Sequence, residues 1–199
     1  MDTIKFTDDH ELYQPSSTEF VDVDVPEFRF LILDGHGAPA EPEFVAAIES
    51  LMSLSYSVKF ASRLGLKRDY SVAPIETLWG EEIADLASRR EDWTWRMLVR
   101  QPEWIDTDFV EACRARSLLK APGVAAVRFE PWEEGRCVQI MHIGSYDTEA
   151  PTIARLHAEY LPQHGLVPNG PHHEIYLSDP RRTSPNRLRT VIRQAVRPE

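Results

Sequence analysis

Cysteine is scarce in this chain, and long apolar runs are absent from it. Two cysteines, Cys113 and Cys137, are too few for a disulfide framework, so a reducing cytoplasm is the expected location. No apolar stretch approaches the roughly 20 residues that span a bilayer. The N-terminus, Met1 to Lys5, lacks the basic and apolar regions of a secretory signal. We therefore expect no membrane association.

Basic residues are fewer than acidic residues in this chain. The chain has 22 Lys and Arg against 32 Asp and Glu, a net charge of −10. This balance opposes a reader of the phosphate backbone, so no direct nucleic-acid binding is expected. Arginines are frequent near the C-terminus, from Arg181 to Arg197, and we interpret them as a solvated face. An acidic protein attracts cationic partners instead.

Signatures of metal, nucleotide and triad chemistry are also missing. His172 and His173 are adjacent, and neighbours on a strand point to opposite faces, which does not suit one metal ion. The segment Asp34 to Gly37 lacks the spacing of a phosphate loop, and no Gly-x-Ser-x-Gly elbow occurs. The sequence thus predicts no metal site and no cofactor.

Two halves of the chain repeat one order of elements. We predict an acidic surface arm over residues 1–26, and then in each half a strand, a helix and two strands. The polar stretch 81–90 also has helical potential. A hairpin-like turn at Glu134-Gly135 is predicted to open the second half. The predicted elements are strands 27–34, 70–78, 93–100, 125–132, 136–143, 172–177 and 188–196, and helices 41–64, 106–119 and 152–162.

Short segments of similar sequence in the two halves support a duplication of one structural unit. Each half places a glutamate in its third element, Glu76 and Glu174. We predict an α+β fold built from duplicated βαββ modules. The predicted domain covers residues 27–196, with module one at about 27–102, a linking helix and strand at about 106–132, and module two at about 136–196.

The strand at 172–177 carries the most informative residues. Alternation places His172, Glu174 and Tyr176 on one face and Ile175 with His173 on the other. A carboxylate on a buried face is unfavourable without a partner. Glu174 therefore lies either at a solvated edge or in a pocket where a cation or a proton uses it.

Three phrases of this chain resemble the GyrI-like small-molecule-binding family. They are Asp34-Gly35-His36-Gly37-Ala38-Pro39, His142-Ile143-Gly144-Ser145-Tyr146-Asp147, and the segment His172 to Arg182. The resemblance runs over about residues 27–196 and implies duplicated βαββ modules with pseudo-two-fold symmetry around a central ligand groove. Relatives include effector-binding parts of multidrug-responsive regulators, gyrase inhibitors, and hydrolases of cyclopropane-bearing antibiotics such as yatakemycin. No helix-turn-helix segment is present, so the chain is not a complete regulator of that kind.

The resemblance implies a site for lipophilic, often cationic small molecules. Its pocket glutamate corresponds to Glu174, and its aromatics to Tyr176 and Tyr146. Glu174 and Tyr146 are the candidate catalytic residues for cyclopropane hydrolysis, and the repeat adds Glu76. Two carboxylates in one groove would raise each other's proton affinity and supply an acid and a base. The aromatic candidates for the groove wall are Trp79, Trp132 and Tyr70, whose alternative is an ordinary core position.

Binding and hydrolysis need the same walls and carboxylate, so both interpretations stay open at this point. The alternative from another class is a protein-interaction role such as a DNA gyrase inhibitor, which would use an exposed acidic surface, including residues 1–25. A sensor that signals to a separately encoded regulator is a further possibility.

Overall fold

The chain folds into two compact units of mixed helix and strand. The structure, a computed structural model, describes residues 3–39, 41–80 and 92–199. One unit comprises the residues up to Phe6 together with Glu27–Trp132, and the other comprises Thr7–Pro26 with Glu133–Glu199. The predicted α+β class is confirmed. The predicted helical stretch at 81–90 lies outside the described residues.

The first unit is an antiparallel four-stranded arrangement with a long helix. Its strand order is β5-β6-β3-β7, and β1 pairs with β4 in a small separate ladder. The elements are β1 (Thr3–Ile4), β3 (Phe28–His36), α2 (Pro42–Ala61), β4 (Asp69–Tyr70), β5 (Ile75–Trp79), β6 (Thr94–Gln101), α3 (Thr107–Leu118) and β7 (Arg128–Trp132).

Helix α2 forms because its apolar residues recur at helical spacing and Pro42 suits the first turn. Leu51, Leu54 and Val58 of α2 are fully buried. A predicted single strand at 70–78 is wrong: Pro74, which has no N–H for a ladder, lies in the break between β4 and β5. The predicted strand at 125–132 begins only at Arg128, because a 3-10 turn occupies Pro122–Ala126.

The second unit is also antiparallel, with strand order β2-β8-β10-β9. Residues 7–26, which sequence analysis places in a surface arm, contribute α1 and β2 to this unit. The elements are α1 (His10–Tyr13), β2 (Val21–Val25), β8 (Gly135–Ile143), α4 (Ala150–Arg155), α5 (Leu161–Gln163), β9 (Leu166–Tyr176) and β10 (Arg189–Pro198).

Helices α4 and α5 are joined by a π-helical turn, Leu156–Tyr160, into one continuous helix over 150–163. This helix covers one face of the sheet. Leu156 and Leu161 pack there in a core cluster with Ile140 of β8 and Ile192 of β10. Side chains on that face of β9 therefore lie beneath this helix.

The predicted hairpin at Glu134-Gly135 is wrong. Strand β7 pairs with β3, whereas β8 pairs with β10 and β2, so the two strands flanking the turn are not partners. Gly135 does adopt a positive φ of 71°, as a tight turn requires. The predicted strand at 172–177 begins earlier, at Leu166, despite Pro168, Gly170 and Pro171. No helix among the described residues is both long and apolar enough to cross a bilayer.

Candidate functional site

The candidate site is an acidic cluster on one face of the second unit's sheet, beneath the helix over 150–163. Strand β9 presents His172, Glu174 and Tyr176 on this face. Their partners on β10 are Gln194, Ile192 and Thr190, respectively. Because Ile192 belongs to the core cluster under the helix, the whole set faces that helix. The pattern of alternation predicted from sequence is confirmed.

Glu174 is 6% exposed, and its carboxyl group accepts a hydrogen bond from a residue of the same strand. The Tyr176 hydroxyl donates a hydrogen bond of 2.6 Å to Glu174 Oε2. On the other side, Glu174 Oε1 lies 3.4 Å from His172 Nε2. That contact does not have hydrogen-bond geometry, and both ring nitrogens of the buried His172 lack a hydrogen-bond partner among the described residues.

Glu149 is the second carboxyl group of the cluster, and sequence analysis missed it. It immediately precedes α4 and is 4% exposed. Burial, and then the neighbouring charge of Glu174, raise the pKa of Glu149 to about 8, an effect that the nearby Thr190 hydroxyl partly offsets. Glu149 Oε1 nevertheless has no hydrogen-bond partner of good geometry among the described residues. Glu149 is therefore protonated at neutral pH.

Two tyrosines connect the buried carboxyl groups to solvent. Tyr146 is 40% exposed, and its ring meets that of the half-buried Tyr176 edge to face, with centroids 5.5 Å apart. Burial, together with the charges of Glu149 and Glu174, raises the pKa of Tyr146 to about 12. The Tyr146 hydroxyl thus keeps its proton at neutral pH, and the Tyr176 hydroxyl donates to Glu174.

Histidines form the inner end of the cluster. The rings of His157, on the π-helical turn, and His172 lie with centroids 6.5 Å apart. Burial and the neighbouring His172 lower the pKa of His157. In the part of the chain that the structure describes, no group of three or more His, Cys, Asp or Glu side chains is arranged to hold a metal ion.

The turn that leads to Glu149 is closely packed around a glycine. Gly144 has a φ of +155°, and a Cβ there would come within 2.8 Å of Thr148 Oγ1 and 2.9 Å of His142 Nε2. His142 Nε2 in turn lies 3.1 Å from Thr148 Oγ1. A side chain at this position would push the turn away from β8, and Glu149 follows Thr148 directly.

The structure brings together three of the predicted site residues, Glu174, Tyr176 and Tyr146. The other four lie in the first unit. Glu76 is 2% exposed on β5, opposite Leu98. Their ligand-binding roles stay predictions.

The three aromatics among those four are packed within the first unit. The fully buried Tyr70 donates a hydrogen bond of 3.1 Å to Gln101 Oε1. Trp79 stacks on Phe44 at a centroid distance of 5.7 Å. The half-buried Trp132 meets Phe30 edge to face at 5.9 Å.

A second buried carboxylate that sequence analysis missed lies on the opposite face of this sheet. Glu134, whose side chain is 2% exposed, lies 3.1 Å from His173 Nδ1 and 3.4 Å from Arg193 Nη1. His173 and Arg193 together lower the pKa of Glu134 in spite of its burial. Arg193, predicted to be solvated, is 3% exposed and also donates to Gln139 Oε1 at 2.9 Å. Glu134 is therefore an ion-paired carboxylate, in contrast to the carboxyl group of Glu149.

Comparison with known proteins identifies the family. A search of curated proteins finds no match. An uncharacterised conserved protein from Listeria innocua is 32% identical, with a TM-score of 0.89 over 98% of this chain and 100% of that one. A hydrolase from Listeria innocua is 31% identical, with a TM-score of 0.87 over the same shares of both chains, 98% and 100%.

A more distant structure shares the fold alone. The C-terminal domain of EcmrR is 12% identical, with a TM-score of 0.60 over 91% of this chain and 98% of that one. The profile of the GyrI-like small molecule binding domain matches residues 18–197, which is most of the chain. The chain therefore belongs to the GyrI-like small molecule binding domain family.

Proposed function

We propose that this protein binds lipophilic small molecules, including cations, at the acidic cluster and hydrolyses cyclopropane-bearing DNA-alkylating compounds. The observation that carries the proposal is the pair of buried carboxyl groups, Glu149 and Glu174, on one face of the sheet. Two close carboxyl groups with different environments supply an acid and a base at one pH. The Listeria innocua hydrolase, 31% identical over nearly the whole chain, supports hydrolysis as the reaction class.

The proposed reaction adds one water molecule to the ligand. Glu174 accepts a proton as the water oxygen attacks the strained carbon, and the ring C–C bond breaks. The electron pair of that bond flows into the conjugated carbonyl, whose oxygen takes the proton of Glu149. Glu174 then holds one proton and Glu149 none, and a proton transfer within the pair restores the starting state. General acid–base catalysis of this kind contributes about 10² to 10⁴ in rate.

The tyrosines provide the binding surface and a further donor. A planar ligand gains affinity by packing on the rings of Tyr146 and Tyr176, and a cation gains further from ring faces and from a poorly solvated carboxylate. Tyr146, whose hydroxyl keeps its proton, is proposed to donate a hydrogen bond to the developing oxygen anion. Ligand-binding roles for Glu76, Trp79, Trp132 and Tyr70, which lie in the first unit, stay predictions.

The test is turnover of a duocarmycin-type cyclopropanoid, followed by mass spectrometry for a product heavier by one water. We expect Glu174→Gln and Glu149→Gln each to lower kcat/KM by about 100-fold or more. Glu159 is an exposed glutamate on the helix over 150–163, and Glu159→Gln is the matched control, which should retain full activity. Unchanged turnover by Glu174→Gln would remove that residue from the mechanism. Tryptophan quenching by the ligand without any product would leave a binding protein.

The alternative is a protein-interaction role such as inhibition of DNA gyrase. It is favoured by the exposed acidic side chains of the N-terminal segment, which are Asp8, Asp9, Glu11, Glu19, Asp22 and Asp24. Deleting this segment would remove β2 from the sheet, so neutralising charges is the cleaner test. If Asp8→Asn/Asp9→Asn/Glu19→Gln relieves inhibition of gyrase supercoiling while leaving cyclopropanoid turnover intact, the interaction role is supported.

Two finer features complete the proposal. Each unit contains a strand and a helix followed by an antiparallel pair of strands, β5 with β6 in the first unit and β9 with β10 in the second, which supports a duplicated βαββ module. In both units the helix passes into a π-helical turn, at Ser62–Leu66 and at Leu156–Tyr160. The pseudo-two-fold symmetry, the central groove and the cytoplasmic location stay predictions.

A further inference from the structure

We propose that the acidic cluster sorts ligands by charge. Uncharged electrophiles bind with the Glu149 proton in place and are substrates, whereas a permanent lipophilic cation expels that proton and binds as an inhibitor. The inference rests on the proposed function, because it uses the same pair of carboxyl groups. It adds a dependence on ligand charge and an exchange of a proton on binding.

The surroundings of Glu149 favour its protonated, uncharged form. The side chain is 4% exposed, and Oε1 lacks a hydrogen-bond partner among the described residues. Within that same part of the chain, no Lys or Arg forms an ion pair with it. A buried carboxylate without a cation is strongly disfavoured, so the empty site holds Glu149 as the neutral acid.

The groups around Glu149 reinforce this state. The titratable and polar side chains that share its side of the sheet are Glu174, His172 and Tyr176 on β9, Thr190 and Gln194 on β10, His142 on β8, His157 on the covering helix, and Tyr146 with the Asp179–Arg181 ion pair at the rim. Arg181 lies 3.0 Å from Asp179, so the neighbouring charge that raises the pKa of Glu149 is that of Glu174.

The proton of the pair belongs on Glu149 and not on Glu174. Donation by the Tyr176 hydroxyl at 2.6 Å favours the ionised form of Glu174. The pair then carries one negative charge at neutral pH, in agreement with a Glu149 pKa of about 8. A neutral ligand meets one carboxylate and one acid, which is the combination that the hydrolysis needs.

A permanent cation changes this balance. Its positive charge stabilises a second carboxylate at close range, because opposite charges interact strongly where water is excluded. Glu149 therefore ionises as the cation binds and releases one proton to solvent. Without that proton it cannot protonate the oxygen of a substrate, so the cation-bound protein is inactive as well as occupied.

The test is calorimetric titration with tetraphenylphosphonium, a cation with no proton of its own, in phosphate and in Tris at pH 7. We expect the two apparent enthalpies to differ as release of close to one proton requires. Affinity should rise about tenfold per pH unit between pH 6 and 7.5, since one proton is exchanged. Triphenylphosphine oxide, an uncharged molecule of similar shape, should show neither effect.

Variants identify the source of the proton. Glu149→Gln should abolish both the proton release and the pH dependence, whereas His172→Gln and the control Glu159→Gln should retain them. Equal enthalpies in the two buffers, failure of tetraphenylphosphonium to bind, or proton release that persists in Glu149→Gln would each overturn the inference.

Turnover separates this inference from the proposed function. Tetraphenylphosphonium should inhibit cyclopropanoid hydrolysis competitively, and about tenfold more strongly at pH 7.5 than at pH 6.5. Hydrolysis with no pH dependence of inhibition overturns the charge sorting and leaves the hydrolase intact. Proton-coupled binding without any hydrolysis overturns the hydrolase, and with it the assignment of neutral ligands as substrates.

Discussion

Three buried glutamates of the second unit show that neighbours, and not residue type, set the behaviour of a carboxyl group. Glu134 contacts His173 and Arg193, which lower its pKa. Glu149 is buried as deeply but near another carboxylate, and its pKa is raised to about 8. Glu174 accepts a hydrogen bond from Tyr176. One residue type therefore provides an ion-paired carboxylate, a carboxyl group with a raised pKa and a hydrogen-bonded carboxyl group within one unit.

The raised pKa of Glu149 predicts a dependence of stability on pH. Between the ordinary value of 4.5 and about 8, the unfolded chain ionises this group while the folded protein keeps it protonated. The unfolding free energy therefore falls as pH rises through this window. Glu149→Gln lacks this loss and should gain about 2 to 4 kcal/mol relative to the wild type between pH 4.5 and pH 8.

Urea unfolding of both proteins at pH 4.5 and pH 8 measures this gain. Glu159→Gln, which is exposed, should follow the wild type at both values. Parallel stability curves for the wild type and Glu149→Gln would show that Glu149 ionises normally in the folded protein.

Tyr176 positions Glu174, and its hydroxyl is predicted to set the pH range of activity. Tyr176→Phe removes a charge-assisted hydrogen bond of about 1.5 to 3 kcal/mol, so Glu174 becomes harder to ionise. We expect the acidic limb of the kcat/KM profile to move up by about one pH unit. Tyr56→Phe, an exposed residue of α2, is the control. A uniform loss of rate at every pH would indicate only a packing defect.

Site residues on a single strand can be predicted from the sequence. Site residues that reach that strand only through tertiary contact cannot. Alternation is enough to place His172, Glu174 and Tyr176 together. Glu149 and Glu134 lie outside periodic segments, at a helix start and in a turn, where acidic residues are usually solvated. One signal was available for Glu149: it directly precedes a helix with a proline in its first turn, as Glu41 does before Pro42 in the first unit.

Secondary-structure elements also divide into those that local sequence patterns predict and those that depend on tertiary contact. The amphipathic patterns of α2 and the central strands predict their positions to within a few residues. Strand β9 is longer than predicted because Pro168 and Pro171 are tolerated where pairing with β10 shifts register, between Gln194 and Val196. Strand β2 was missed, although Val21–Val25 alternates valine with aspartate, the pattern of a half-buried strand.

Helix α1 is held to the sheet through side chains of β8 and β10. Arg193 donates to the Leu12 carbonyl at 2.7 Å, and Gln139 Nε2 donates to the Glu11 carbonyl at 2.6 Å. Arg193→Met breaks this attachment and leaves Glu134 with one cationic partner fewer. We expect it to lower the unfolding free energy by about 3 to 5 kcal/mol.

Hydrogen exchange and urea unfolding check this prediction. Amides of α1 should exchange faster in Arg193→Met, while the exposed Arg189→Met on the same strand leaves them unchanged. Adding Glu134→Gln should recover part of the loss, because the uncompensated charge is then gone. Equal protection of α1 in both arginine variants would contradict the assignment.

For the whole molecule, the net charge of −10 acts on ligands before they reach the cluster. An acidic protein attracts a cation over about a Debye length, roughly 10 Å at 0.1 M salt. The association rate of tetraphenylphosphonium should fall by up to about tenfold as salt rises from about 20 to 300 mM.

Stopped-flow tryptophan quenching measures this effect, with triphenylphosphine oxide as a salt-independent control. Glu149→Gln should bind the cation more weakly but retain the salt dependence, because steering comes from the whole charge distribution. A salt dependence that disappears with Glu149 alone would place the attraction in the cluster instead.

The second unit is assembled from two stretches of chain, Thr7–Pro26 and Glu133–Glu199, that the ribosome makes at different times. Strand β2 must wait for β8, its partner in the sheet, and the carbonyl of Leu12 in α1 must wait for Arg193, which is made later still. The intervening segment can acquire its own helix and strands in the meantime, since domains fold as units during translation. Residues 7–26 thus remain without their partners in the sheet until the second stretch of the unit has been made.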